Sequence, residues 1–209
     1  MHGLGADGHD FVPLAEELDL SSVGPVRFVF PHGPLRPVTV NGGHVMRAWY
    51  DIRGDELVRG GMKSEDEDGL RASRFLAEAL LATERARGVP ASRIVVAGFS
   101  QGCAMALMTG LRHEARLAGI LAMSGYLPLP EVTARERHAV NADVPIFQAH
   151  GTGDTVIPLA RAVATRDALI GLGHPVEWHA YPMGHSVCAA EVADVNRWLV
   201  RVLEAPRTP

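Results

Sequence analysis

Cysteine is scarce: Cys103 and Cys188 are the two in 209 residues. They lie too far apart in sequence for the framework of a small disulfide-stapled domain, and no CxxC pair offers zinc or redox chemistry. Free thiols packed in a reducing compartment are the simplest reading. Aromatic residues reach only 6%, and charged residues reach 21% with a formal net charge of -4. Neither a basic nucleic-acid footprint nor a disordered acidic segment is present. The arginines are scattered singly, so no nucleic-acid partner is expected. No run of about 18 apolar residues occurs, and no basic stretch, apolar run and small-residue cleavage site open the chain. The expectation is a soluble, cytoplasmic protein without stable membrane insertion.

Hydrophobic residues, by contrast, make up 47% of the chain. That suffices for one large core, and the length is near the usual limit for one domain, so residues 1–209 read as a single domain. Short apolar, β-branched runs alternate with helical stretches. Strands are expected at Val26–Phe30, Arg93–Phe99, Gly119–Met123, Pro145–Ala149 and Val176–Tyr181, and helices at Asp68–Arg87, Gln101–Arg112, Leu159–Leu172 and Ala190–Leu203. Ile94, Val95, Val96 and Ala97 leave no polar face, which places that strand inside a sheet covered on both sides. The alternation predicts an α/β fold, a three-layer sandwich around a mostly parallel sheet. Residues 33–67 are punctuated by Pro34, Pro37, Gly42, Gly43, Gly54, Gly60 and Gly61 and read as loop-rich. Ala48–Ile52 reads either as a short strand or as a loop. Ligands of open α/β sheets bind beyond the carboxyl ends of the strands, so this segment is expected near a pocket there.

Between the clearest strand and the helix after it stands Gly98-Phe99-Ser100-Gln101-Gly102. A GxSxG string alone is weak in a chain with 22 glycines; its place on a strand-to-helix turn is what makes a nucleophile elbow. The bland reading of Ser100 is a helix N-cap. A serine hydroxyl needs a base, and the base needs a carboxylate to orient it. Asp154, in His150-Gly151-Thr152-Gly153-Asp154, and His185, in Met183-Gly184-His185-Ser186, follow strand ends in the order acid, then base. Asp154 also reads as an Asx-turn residue, and His185 as an N-cap or surface histidine. His150 and His179 fall in or beside strands and read as structural, while Asp167 and Asp194 fall in helices. The backbone amide of Gln101, at a helix start, is one candidate oxyanion donor. That of Leu4, in His2-Gly3-Leu4-Gly5, is the other; read without its neighbours this segment is only a flexible tail. Met105, Met108 and Met123 read as core. Trp49, Tyr50 and Leu57 lie off any periodic face and are candidates for an apolar acyl pocket.

Taken together, His2–Phe11, Met46–Asp51, Gly98–Gly102, His150-Gly151 with Asp154 and Pro158, and Gly184-His185 give the chain a resemblance to the phospholipase/carboxylesterase family of α/β hydrolases. The blocks span essentially the whole chain in the family's order. The resemblance implies the α/β-hydrolase fold, Ser100 as nucleophile, Asp154 as acid, His185 as base and the amides of Leu4 and Gln101 as oxyanion donors. It further implies a small acyl ester or thioester substrate, no metal or organic cofactor, and a homodimer. Two departures stand out. Cys103 occupies a place where the family usually has a second glycine, which raises a question of close packing; as a nucleophile it lies beyond the elbow. In the family a strand also leads into the His-Gly-Leu-Gly loop and lies between the strands of Val26–Phe30 and Arg93–Phe99. Without it those two strands are expected to lack a hydrogen-bonding neighbour, with low stability and poor placement of Leu4, as in a sequence trimmed at its start. The functional expectation is a serine carboxylesterase acting on short to medium acyl esters through an acyl-enzyme. Alternatives are an acyl-protein or small-molecule thioesterase, a lysophospholipase, and a catalytically silent dimeric scaffold.

Overall fold

A computed structural model describes residues 1–54 and 65–204. In chain order the elements are α1 (Val12–Glu16), β1 (Leu35–Val38), β2 (His44–Arg47), α2 (Glu67–Ala86), β3 (Val95–Phe99), α3 (Gln101–Gly110), β4 (Gly119–Met123), α4 (Pro130–Glu136), β5 (Ile146–Gly151), α5 (Leu159–Gly171), β6 (Val176–Tyr181) and α6 (Ala189–Glu204). Strands β3 to β6 pair in sequential order, every pair parallel. Each crossover carries helix, as parallel neighbours require. Alternation along β4 shows how the layers form. Ile120 and Ala122 join Leu81, Leu107 and Leu169 from α2, α3 and α5 on one face. Leu121 and Met123 meet Val195, Trp198, Leu199 and Leu203 of α6 on the other. Both faces are buried, which is why β4 shows no polar alternation. Helix α2 begins where Asp66 caps it by accepting from Gly69 N at 3.2 Å. No helix of the described residues is long and apolar enough to cross a membrane.

Two expectations need correction. Of the segment 33–67, the described residues 33–54 contain more regular structure than their glycines and prolines suggest: β1 and β2 form an antiparallel hairpin, with Leu35 opposite Arg47 and Val38 opposite His44. Residues 48–52 follow it as a loop, not a strand. The second correction concerns Val26–Phe30, which belongs to no sheet; Val26, Phe28 and Val29 are 38–40% exposed. An extended segment becomes a strand only through a partner ladder, and among the described residues none lies beside it. A cavity of about 360 Å³, lined by Val26, Phe28, Phe30, Val95 and Ala97 among others, separates it from β3. Into one end reaches Met1, whose amino group donates to Ala97 O at 2.7 Å and whose carbonyl accepts from Phe99 N at 3.2 Å.

Candidate active site

β3 ends at Phe99, α3 begins at Gln101, and Ser100 makes the turn at φ 57°, ψ -119°. Such a backbone is costly for a residue with a side chain and persists only when its surroundings hold it. Ser100 N donates to Met123 O at 2.9 Å, and Ser100 O accepts from Cys103 N at 3.0 Å and Ala104 N at 3.3 Å. Gly98 is required here, because a β-carbon would run into the carbonyl of Gly102. The N-cap reading fails, since the Ser100 side chain makes no cap hydrogen bond. Its hydroxyl faces His185 instead.

Two adjacent parallel strands deliver the other groups. β5 runs out at Gly151 and the next turn presents Asp154; β6 runs out at Tyr181 and the following loop presents His185. His185 Nδ1 lies 2.7 Å from Asp154 Oδ2, and His185 Nε2 lies 2.8 Å from Ser100 Oγ. The buried carboxylate only accepts, so Nδ1 carries the proton and the Nε2 lone pair faces the serine hydroxyl. Asp154 resolves an alternative left open by its sequence, because it does both things. Oδ1 accepts from Val156 N and Ile157 N, each at 2.8 Å, closing an Asx-type turn, while Oδ2 holds the imidazole. The Phe99 ring packs 4.9 Å from that of His185 and restricts its rotation.

Facing Ser100 is the loop of residues 2–6. A β-carbon on Gly3 would stand 3.3 Å from that of Ser100. His2 is pinned from both sides, its Nδ1 donating to Gly3 O at 2.7 Å and its Nε2 accepting from Gly33 N at 2.8 Å. Trp49 Nε1 donates to His2 O at 2.9 Å, and Gly5 N donates to Arg47 O at 2.9 Å. These anchors hold Leu4 from both sides, and its side chain packs on the cluster of Trp49, Met105 and Met108. Poor placement of Leu4, expected from the sequence, is therefore not seen. Gln101 spends its side chain on the Trp49 and Tyr50 backbone, at 2.8 Å each. Its amide, in the first turn of α3, has no carbonyl of its own helix to bond.

Cys103 fits because of Gly125, a residue that no sequence motif singles out. Gly125 lies directly opposite, and a β-carbon there would collide with that of Cys103. Burial also drives the Cys103 thiol far above the usual thiol range, which removes it as a nucleophile. Trp49 and Tyr50 are each 1% exposed, and Tyr50 Oη bonds Tyr126 Oη at 2.7 Å. They form packed floor beneath the site rather than open wall. Leu57 lies outside the described residues. Met105, Met108 and Met123 are core. Among the described residues Asp7, His9 and His32 bring metal-capable atoms within 4.8 Å of one another. Their contacts have a local explanation: Asp7 Oδ1 accepts from His9 N at 2.8 Å in a tight turn, and Gly8 N donates to His32 Nδ1 at 3.1 Å.

Known proteins share this arrangement of elements. The family model for phospholipase/carboxylesterase matches residues 1–203. An acyl-protein thioesterase 1 of Yarrowia lipolytica is 39% identical over 203 residues, spanning 95% of this chain and 88% of that protein. One of Neurospora crassa is 38% identical, spanning 97% and 85%. Among solved structures, SOBER1 of Arabidopsis thaliana superposes with a TM-score of 0.88 at 28% identity, covering 97% of this chain and 96% of that one. Esterase PE8 gives 0.80 at 26% identity, covering 96% and 89%. Parallel sheet, elbow and whole-chain match agree: this chain is a serine hydrolase of the α/β-hydrolase fold and belongs to the phospholipase/carboxylesterase family.

Proposed function

We propose that the chain is a carboxylesterase that cleaves short to medium acyl esters through a Ser100 acyl-enzyme. The continuous hydrogen-bonded line from Ser100 Oγ through His185 to Asp154, at 2.8 and 2.7 Å, supports this reading. His185 Nε2 takes the hydroxyl proton as Ser100 attacks the carbonyl, and Asp154 stabilises the imidazolium that results. The amides of Gln101 and Leu4 hold the oxyanion, the first with the help of the α3 dipole. His185 then protonates the leaving group, and water repeats the cycle on the acyl-enzyme. No step draws on a metal or organic cofactor.

A second reading, hydrolysis of acyl thioesters, is favoured by the names of relatives 38–39% identical, which are acyl-protein thioesterases. The same groups serve, because only the leaving atom changes. Matched oxygen and thio esters of graded acyl length, assayed with wild type and Ser100→Ala, separate the two. Esterase function predicts turnover of both, with the oxygen ester at least as good a substrate and with loss of all turnover in Ser100→Ala. Turnover confined to thioesters would shift the assignment. Turnover unaffected by Ser100→Ala would remove the nucleophile from the mechanism.

A further inference from the structure

His150 is fully buried at the end of β5, yet the mechanism above gives it no part. Its Nε2 lies 2.8 Å from Ile157 O. A carbonyl only accepts, so this nitrogen carries the ring proton. The same Nε2 stands 3.3 Å from Asp154 Oδ2, the oxygen that holds His185. Nδ1 is buried with no hydrogen-bond partner among the described residues, and burial holds the ring below the ordinary histidine range. His150 is thus a neutral imidazole that offers one N–H dipole at one place.

We infer that His150 is a positioning residue for the acid: its Nε2–H clamps the Asp154–Ile157 turn through the Ile157 carbonyl and places a positive dipole against the carboxylate oxygen that orients His185. The turn closes from both ends. Val156 N and Ile157 N donate to Oδ1, and Ile157 O returns to the rigid strand through His150. His150 pairs in register with Ala180 of β6, the strand that leads into the His185 loop, so the ring is referenced to both arms of the site. The ionisable side chains in contact with Asp154 among the described residues are His150 and His185. The positive end of the His150 N–H draws on charge that otherwise acts wholly on His185. Its removal leaves the His185 imidazolium more strongly favoured and its position less well fixed.

The inference rests on the Ser100–His185–Asp154 reading, and the test keeps the two apart. His150→Leu removes the donor at similar volume, and His150→Gln restores a side-chain N–H donor. Sites are counted with an irreversible serine-directed reagent, so that misfolded material does not enter the rate. Per titrated site, His150→Leu is expected to lower kcat about tenfold with KM little changed, the scale of one hydrogen bond to a charged group. The acid limb of kcat/KM is expected to move to higher pH. His150→Gln is expected to recover most of the rate and the wild-type limb. A pH profile of His150→Leu that superposes on wild type per site overturns the inference. So does a His150→Gln variant lowered tenfold or more in kcat per titrated site relative to wild type, and this arm stands even if the leucine variant yields no titratable sites. Failure of the underlying reading shows elsewhere, as turnover that survives Ser100→Ala.

Discussion

Replacing Asp154 by asparagine keeps the shape of the acid and removes its charge, and the hydrogen bonds around it decide the outcome. The carboxylate has two jobs: Oδ1 accepts from Val156 N and Ile157 N, and Oδ2 accepts from His185 Nδ1. An asparagine has one oxygen for both. If its oxygen turns toward His185, its NH₂ faces two backbone donors, and two bonds to a charged acceptor are lost at roughly 1.5–3 kcal/mol each. If the oxygen stays on the turn, the NH₂ faces His185 and must find a lone pair on Nδ1. The second arrangement is cheaper, because the imidazole need only move its proton to Nε2. That proton then faces Ser100 Oγ, where a base is required. A wrong tautomer of this kind lowers kcat by about 10⁴, roughly 5 kcal/mol of transition-state stabilisation. The turn keeps its bonds, so the thermal midpoint of Asp154→Asn is expected to stay within a few degrees of wild type. Steady-state hydrolysis of a chromogenic acyl ester, with a melting curve on the same sample, measures both. Asp154→Asn retaining more than a tenth of wild-type kcat would refute the assignment of Asp154 as the group that sets the histidine tautomer.

Other parts of the structure make independent predictions. Glu191 is fully buried, and burial raises its pKa from 4.5 to about 7 against the opposing pull of the Cys188 backbone. The folded state therefore holds a proton that the unfolded state releases, and stability falls as pH rises between those values, by up to about 3 kcal/mol. Glu191→Gln should remove that loss, so that the stability gap between variant and wild type widens from pH 5 to pH 8 in denaturant titrations; a constant gap would contradict it. Gln101→Ala should destabilise the fold by about 2–6 kcal/mol, because Trp49 N and Tyr50 O would each be buried without a partner; denaturant unfolding of Gln101→Ala reads this directly. Cys103 is buried and its thiolate strongly disfavoured, whereas Cys188 is half-buried. Iodoacetamide should thus add at a single thiol of the native protein and at both in denaturant, as counted by mass.

The order of chemistry along the chain was legible because it is local. A buried strand, an elbow with glycines and a helix are neighbours in sequence, and Asp154 and His185 each follow a strand whose apolar run marks its end. Periodicity alone accounts for β3 to β6 and the long helices, since burial on both faces leaves a continuous hydrophobic signature. Local signals could not say whether Asp154 makes a turn or holds a histidine. One carboxylate has two oxygens, and only the approach of β6 from elsewhere in the chain shows both in use. The hairpin β1–β2 was hidden because Pro37 and two adjacent glycines suit an edge hairpin as well as a loop. Val26–Phe30 has the composition of a strand, yet a strand is a relation between segments, and its neighbouring space is a cavity. Cys103 has room because Gly125, brought up by a different part of the chain, has no side chain. His150 contacts Asp154 through a carbonyl and a dipole that no residue pattern encodes. What the sequence by itself determined is which residues are candidates for the chemistry and in what order they stand; what tertiary structure decided is which of them come within hydrogen-bonding distance, because that depends on separations of a few ångströms between strands joined by long crossovers.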